Sequence, residues 1–180
     1  AAGKAGAVAG RFEVLTGDPQ PALAALVEWL HARGPFAVVA VASFGPLRLD
    51  PRAHDYGRLL AESKPDWCDT DVLAPFRSLA KRLVLETDVG AAAFGEQLQR
   101  GGRDTLVYVT IGTGIGGGLV IDDRVHHGRL HPEMGHLRVV HDGSFTGICA
   151  AQDRKSTRLN SSHKPNSYAV VCLKKKKDTN

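Results

Sequence analysis

Cysteine is scarce and scattered: Cys68, Cys149 and Cys172 are the three in 180 residues, odd in number and far apart. That argues against a disulfide framework and fits a reducing compartment. Long apolar runs are missing too. No stretch reaches the roughly 18 consecutive apolar residues of a membrane-spanning helix, and no basic segment followed by an apolar one opens the chain. Neither a membrane span nor a signal peptide is therefore expected, and the expected location is the cytoplasm. There is no initiator methionine; the opening AAGKAGAVAG reads as an interior piece of a longer protein. No internal repeat occurs.

What is present is ordinary globular material, 43% hydrophobic and long enough for one core or two small ones. The formal net charge of +4 is unevenly placed. Residues 151–180 carry eight Lys/Arg against Asp153 and Asp178, whereas residues 1–150 carry 15 basic and 17 acidic side chains. The body thus offers no polyanion footprint, and neither a nucleic-acid nor a membrane partner is expected. The tail AQDRKSTRLNSSHKPNSYAVVCLKKKKDTN abandons hydrophobic periodicity. It reads as a disordered or non-native basic segment, resembling translated adapter and poly-adenine sequence, and is assigned no role.

Along the body, Pro21–Ala32 spaces Leu23, Leu26, Val27 and Leu30 for one helical face. Phe36–Ala42 (FAVVAVA) is a short continuous apolar run expected to form a strand buried on both faces. Residues 46–70, rich in Pro, Asp and Gly, read as an irregular loop. A helix capped by Asp71 is expected to Lys81, then a strand over Arg82–Glu86 and a helix over Ala91–Gln99. Thr105–Ile111 and Leu119–Ile121 read as hairpin strands around a glycine loop, with an acidic turn at Asp122 and Asp123 after them. Strands alternating with helices give the α/β class. The division expected is a first α/β domain over 1–103, the start of a second over 104–150, and the tail over 151–180.

Three segments carry candidate chemistry. In Glu86–Glu96 (ETDVGAAAFGE), Asp88 stands between a strand and a helix, at the sheet edge where open α/β folds bind ligands. A carboxylate there suits the removal of a proton from a substrate hydroxyl; it equally suits a helix cap, a favoured place for Asp. In Ile111–Gly118 (IGTGIGGG), five glycines with Thr113 let backbone N–H groups approach a phosphate, while the ordinary alternative is a glycine-rich hairpin turn. No helix follows, as a dinucleotide-binding loop requires, and no Gly-Lys-Ser/Thr follows either. In His131–His136 (HPEMGH), Glu133 suits a polyol and His136 a metal, with Cys149 as a second ligand type, although a zinc site needs four ligands.

Taken in order, ETDVGAAAFGE, VYVTIGTGIGGGLV, HGRLHPEMGH and FTGIC resemble the ROK family of sugar kinases, and bacterial fructokinases in particular. SFGPLRLDP (Ser43–Pro51), Tyr56 with Gly57, and KPDW (Lys64–Trp67) fit the same group, and the likeness spans roughly residues 3–149. The resemblance implies the actin-like, ribonuclease-H-like pair of α/β domains, the second incomplete here. It implies phosphorylation of a hexose by ATP with Mg²⁺, most simply D-fructose to fructose 6-phosphate, with Asp88 as general base. By the same carry-over, Gly112, Thr113, Gly114, Gly116 and Gly117 form a phosphate-binding loop. Glu133 and His136 contact the sugar, and His136 with Cys149 begins a structural Zn²⁺ site. A homodimer is implied for the parent protein. Alternatives within the family are a glucokinase or other hexose kinase, a sugar-responsive repressor, and an inactive fragment. The chain departs from the family at Gly90, where an Asn is usual, and at Gly3 and Lys4, where a Gly-Gly-Thr-Lys loop is usual.

Overall fold

The computed structural model describes residues 8–60, 64–102, 105–112, 114–128, 134–136 and 173–175, with backbone alone for 136 and 173–175. Close contacts divide the chain into two units: residues 1–88 with 129–131 and 166–180, and residues 89–128 with 132–165. The division falls between Asp88 and Val89 because the helix beginning there packs on the glycine hairpin.

In the first unit, helix α1 (Pro19–His31) has prolines inside its first turn, where a missing N–H costs nothing, and buries Ala22, Leu23 and Leu30. Strand β1 (Phe36–Ser43) pairs in parallel with strand β2 (Ala80–Thr87), from Phe36 opposite Ala80 to Ser43 opposite Thr87. Phe36, Val39, Val41 and Ser43 of β1 are buried while Val38, Ala40 and Ala42 are half-covered. The expected burial of both faces therefore holds for one face among the described residues.

The connection between these strands departs from expectation in two ways. Residues 46–70 are not merely a surface loop: Leu47, Leu59 and Trp67 sit in the core with Phe76 and Val39. They are held by bridges between Leu47 and Leu59 and between Arg58 and Asp71. The helix expected over Asp71–Lys81 is also absent. Asp71 does cap, its Oδ1 accepting the N–H groups of Leu73 and Ala74 at 2.9 Å each. Only the single 3-10 turn Ala74–Phe76 follows, and β2 already begins at Ala80. Pro75 explains this, because proline lacks the N–H that a continuing helix needs and disfavours helical geometry in the residue before it.

In the second unit, helix α2 (Asp88–Gln99) supplies Val89 onward and buries Gly90, Ala93 and Gln97. Strands β3 (Leu106–Ile111), β4 (Ile115–Ile121) and β5 (Arg124–Val125) form an antiparallel sheet in that order. Asp122 and Asp123 join β4 to β5 with φ of 49° and 60°, the paired left-handed geometry of a tight hairpin turn, which Asp tolerates better than most residues. Within the tail expected to be without structure, strand β6 (Leu173–Lys175) lies antiparallel against β1.

Candidate active site

The parallel β1–β2 ladder ends with Ser43 opposite Thr87, so the two chains leave the sheet together at its carboxyl edge. Phe44 follows one strand; Asp88, the first residue of α2 and exposed, follows the other. An acidic group in a helix's first turn is favoured by the helix dipole, and a carboxylate at this edge lies where parallel sheets bind ligands. A cleft of about 90 Å³ opens beside it, with Glu13, Thr16, Ser43 and Asp88 as polar walls and Leu23 and Trp67 among its apolar ones. A small number of convergent polar groups over an apolar floor is the usual make-up of a small-molecule site.

Aromatic stacking shapes one wall. Phe44 meets Trp67 edge-on, ring centroids 5.5 Å apart and planes at 75°. The Trp67 indole N–H donates to the Gly17 carbonyl at 2.8 Å, fixing the ring although the two residues are far apart in sequence. Lys64 Nζ sits 4.1 Å from the centre of the Phe44 ring, a cation–π contact. Partial burial lowers the Lys64 pKa below its ordinary value, opposed by the attraction of the Asp88 carboxylate. Behind Asp88, Glu86 Oε1 accepts the Thr87 backbone N–H at 2.7 Å and the Thr87 hydroxyl at 3.3 Å. Burial raises the Tyr56 phenol, and the Glu86 carboxylate raises it further.

Lys64 and Glu86 were not singled out by sequence. Lys64 lies in KPDW and Glu86 in ETDVGAAAFGE, but nothing local ties Lys64 to Asp88. The available signal is positional, since Ser43 ends one apolar strand and Asp88 directly follows another.

In the second unit, Gly112, Gly114, Gly116 and Gly117 share one hairpin, but they divide into two kinds. Gly116, Gly117 and Gly118 lie within β4, opposite Thr110, Val109 and Tyr108, so the loop proper is only residues 112–114. The expected longer loop is thus corrected, because the β3–β4 ladder continues through the glycines. Packing accounts for these three. A methyl group on Gly116 would stand 2.9 Å from Val89 Cγ1 and from Thr110 Oγ1, and one on Gly117 would stand 3.0 Å from Met134. On Gly118 it would overlap the Val89 carbonyl oxygen and reach 2.9 Å from Ala93. At Gly112 and Gly114, by contrast, it would meet nothing within 4 Å among the described residues. The Gly112 N–H donates to the Gly114 carbonyl at 2.9 Å. Thr113 lies outside the described residues.

Asp88 and this hairpin belong to different units, each with its own geometry. The HPEMGH segment is described only as the 3-10 turn Met134–His136, with Met134 against Gly117. Glu133 and Cys149 lie outside the described residues, and for His136 the backbone alone is described. Among the described residues no group of three or more His, Cys, Asp or Glu is placed to hold a metal ion. No described helix is long and apolar enough to cross a membrane.

Residues 18–153 match the family model described as the ROK family. A fructokinase from Zymomonas mobilis is 40% identical over 147 residues, 76% of this chain and 49% of that protein. A fructokinase from Pediococcus pentosaceus is 33% identical over 137 residues, 74% of this chain and 47% of that protein. The chain therefore spans about half the length of these relatives. Among solved structures, a ROK family glucokinase from Streptomyces griseus in complex with glucose and AMPPNP is similar with a TM-score of 0.57 and 29% identity. That likeness covers 72% of this chain and 43% of that one. With three quarters of its length matched, a shared order of motifs and a shared actin-like α/β fold, the chain belongs to the ROK family.

Proposed function

We propose that this chain is the Asp88-bearing part of an ATP-dependent hexose kinase, with D-fructose as the acceptor. The observation that carries the reading is the place of Asp88: an exposed carboxylate at the carboxyl edge of the β1–β2 pair, lining a small cleft with polar walls and an apolar floor. There Asp88 takes the proton of the sugar hydroxyl as its oxygen attacks the γ-phosphorus of ATP; the bond to the bridging oxygen breaks and ADP leaves. Gly112 and Gly114 support the phosphate role, since no neighbour among the described residues crowds them and a glycine leaves the backbone open to the close approach of a phosphate. Mg²⁺ bound with the nucleotide neutralises charge on the transferring group and takes few protein ligands.

Fructose is favoured by the two relatives named fructokinase, and glucose is the alternative because the Streptomyces griseus relative is a glucokinase that binds it. Glu133 and His136 as sugar contacts, and His136 with Cys149 as zinc ligands, rest on the HPEMGH and FTGIC resemblance; no step is routed through zinc. A cytoplasmic homodimer remains part of the same reading.

The test is ADP release by the chain extended to the length of its relatives, with fructose and glucose compared by kcat/KM. Fructose-dependent turnover that collapses in Asp88→Asn is expected. Undiminished turnover in that variant overturns the assignment of the base, and a kcat/KM favouring glucose overturns the choice of sugar.

A further inference from the structure

The family motif places a base at Asp88 but says nothing about what keeps a carboxylate ionised in a partly apolar cleft. The structure supplies a candidate partner. Lys64 stands immediately before the 3-10 turn Pro65–Trp67, and Trp67 is anchored through its indole to Gly17. Its Nζ is held 4.1 Å above the ring of Phe44, and Phe44, Trp67 and Asp88 all line the same cleft. Phe44 and Asp88 leave the sheet at the same edge, one residue beyond the paired Ser43 and Thr87. The ammonium is therefore carried on an aromatic platform at the wall that Asp88 shares.

We propose that Lys64 is a positioning residue for Asp88: its ammonium, seated on Phe44, holds the carboxylate ionised and directed into the cleft. This rests on the reading of Asp88 as the base. The electrostatics agree, since Lys64 is drawn toward its charged form by Asp88 even as burial opposes that form. Among the described residues, the other charged or titratable groups about this wall are Glu13, which lines the cleft, Glu86 on β2 two residues before Asp88, and Tyr56, whose phenol feels the Glu86 carboxylate. Both acids raise a neighbouring carboxyl's proton affinity, and an ionised Tyr56 acts in the same direction at high pH, whereas the Lys64 ammonium opposes them.

The test separates this inference from the function it rests on. In the chain itself, carbon-13 NMR follows the titration of aspartate carboxyls, with the Asp88 signal identified by its loss in Asp88→Asn. In Lys64→Met, which keeps an apolar stem over Phe44, the Asp88 midpoint is expected to move to higher pH, and Lys64→Arg is expected to return it. An unmoved midpoint in Lys64→Met, or one that Arg does not restore, overturns the proposal. Lys64→Gln repeats the measurement if Met disturbs folding, which circular dichroism reports. In the extended enzyme, Lys64→Met should lower kcat chiefly at acid pH, with recovery as pH rises and little change in KM; a loss equal at every pH overturns the positioning role. If Asp88→Asn leaves turnover intact while the Lys64-dependent shift persists, the reading of the base fails and the electrostatic pairing stands.

Discussion

Ser43 and Thr87 face each other at the last register position of the parallel β1–β2 pair. Each is followed by a residue of the proposed site, Phe44 by one strand and Asp88 by the other, so two positions far apart in sequence are delivered to one edge. Both paired side chains are buried, Thr87 with 1% of its surface exposed, so the edge that carries the proposed base is a firm one.

Replacing Asp88 with Asn should lower kcat of the extended enzyme by roughly 10²- to 10⁴-fold, the usual contribution of a positioned proton acceptor. KM for sugar should change little, because the amide keeps shape and hydrogen-bonding capacity. Steady-state kinetics with a circular dichroism control checks both.

The two kinds of glycine should separate experimentally. Gly118→Ala forces a methyl group onto the Val89 carbonyl and Ala93, and should destabilise the chain by about 3 kcal/mol, toward the upper end for overpacking. Gly112→Ala and Gly114→Ala meet no neighbour among the described residues. They should leave stability within about 0.5 kcal/mol yet weaken nucleotide binding about tenfold or more, because the added methyl group holds the phosphate off the backbone N–H groups. Urea unfolding and nucleotide titration distinguish the cases.

Leu59, with 0% of its surface exposed, lies in a segment that composition marks as loop. Leu59→Ala should destabilise by roughly 2–5 kcal/mol through lost burial and the cavity left behind. A surface loop position would give a change within about 0.5 kcal/mol, so one urea titration decides whether 46–70 is core.

The Tyr56 phenol should ionise above its ordinary value of 10.0, burial being the larger cause and Glu86 the smaller. With the folded pKa raised, the associated stability is full below pH 10.0 and lost as pH rises through the folded value. Lys64 acts oppositely, since its lowered folded pKa makes stability rise with pH between that value and 10.5. Tyrosinate absorbance should therefore show a late-titrating phenol that disappears in Tyr56→Phe, and alkaline unfolding of that variant should begin at higher pH.

The order of motifs, the apolar runs of β1 and β2, and the place of Asp88 between a strand and a helix were all legible in the amino-acid sequence. Each depends on residues near one another in the chain, where periodicity and spacing carry the information. Tertiary structure alone decided the rest. It showed that Gly116, Gly117 and Gly118 serve packing while Gly112 and Gly114 meet no neighbour among the described residues, because a missing Cβ matters only relative to what lies opposite, here Val89, Ala93 and Met134. It placed Leu47, Leu59 and Trp67 in the core despite their loop-like setting, and it ended the expected helix after Asp71 in a single turn. It also brought Lys64 over Phe44, and Phe44 with Trp67 and Asp88 onto one cleft, a grouping set by the chain path through Trp67 and Gly17 that no local pattern encodes.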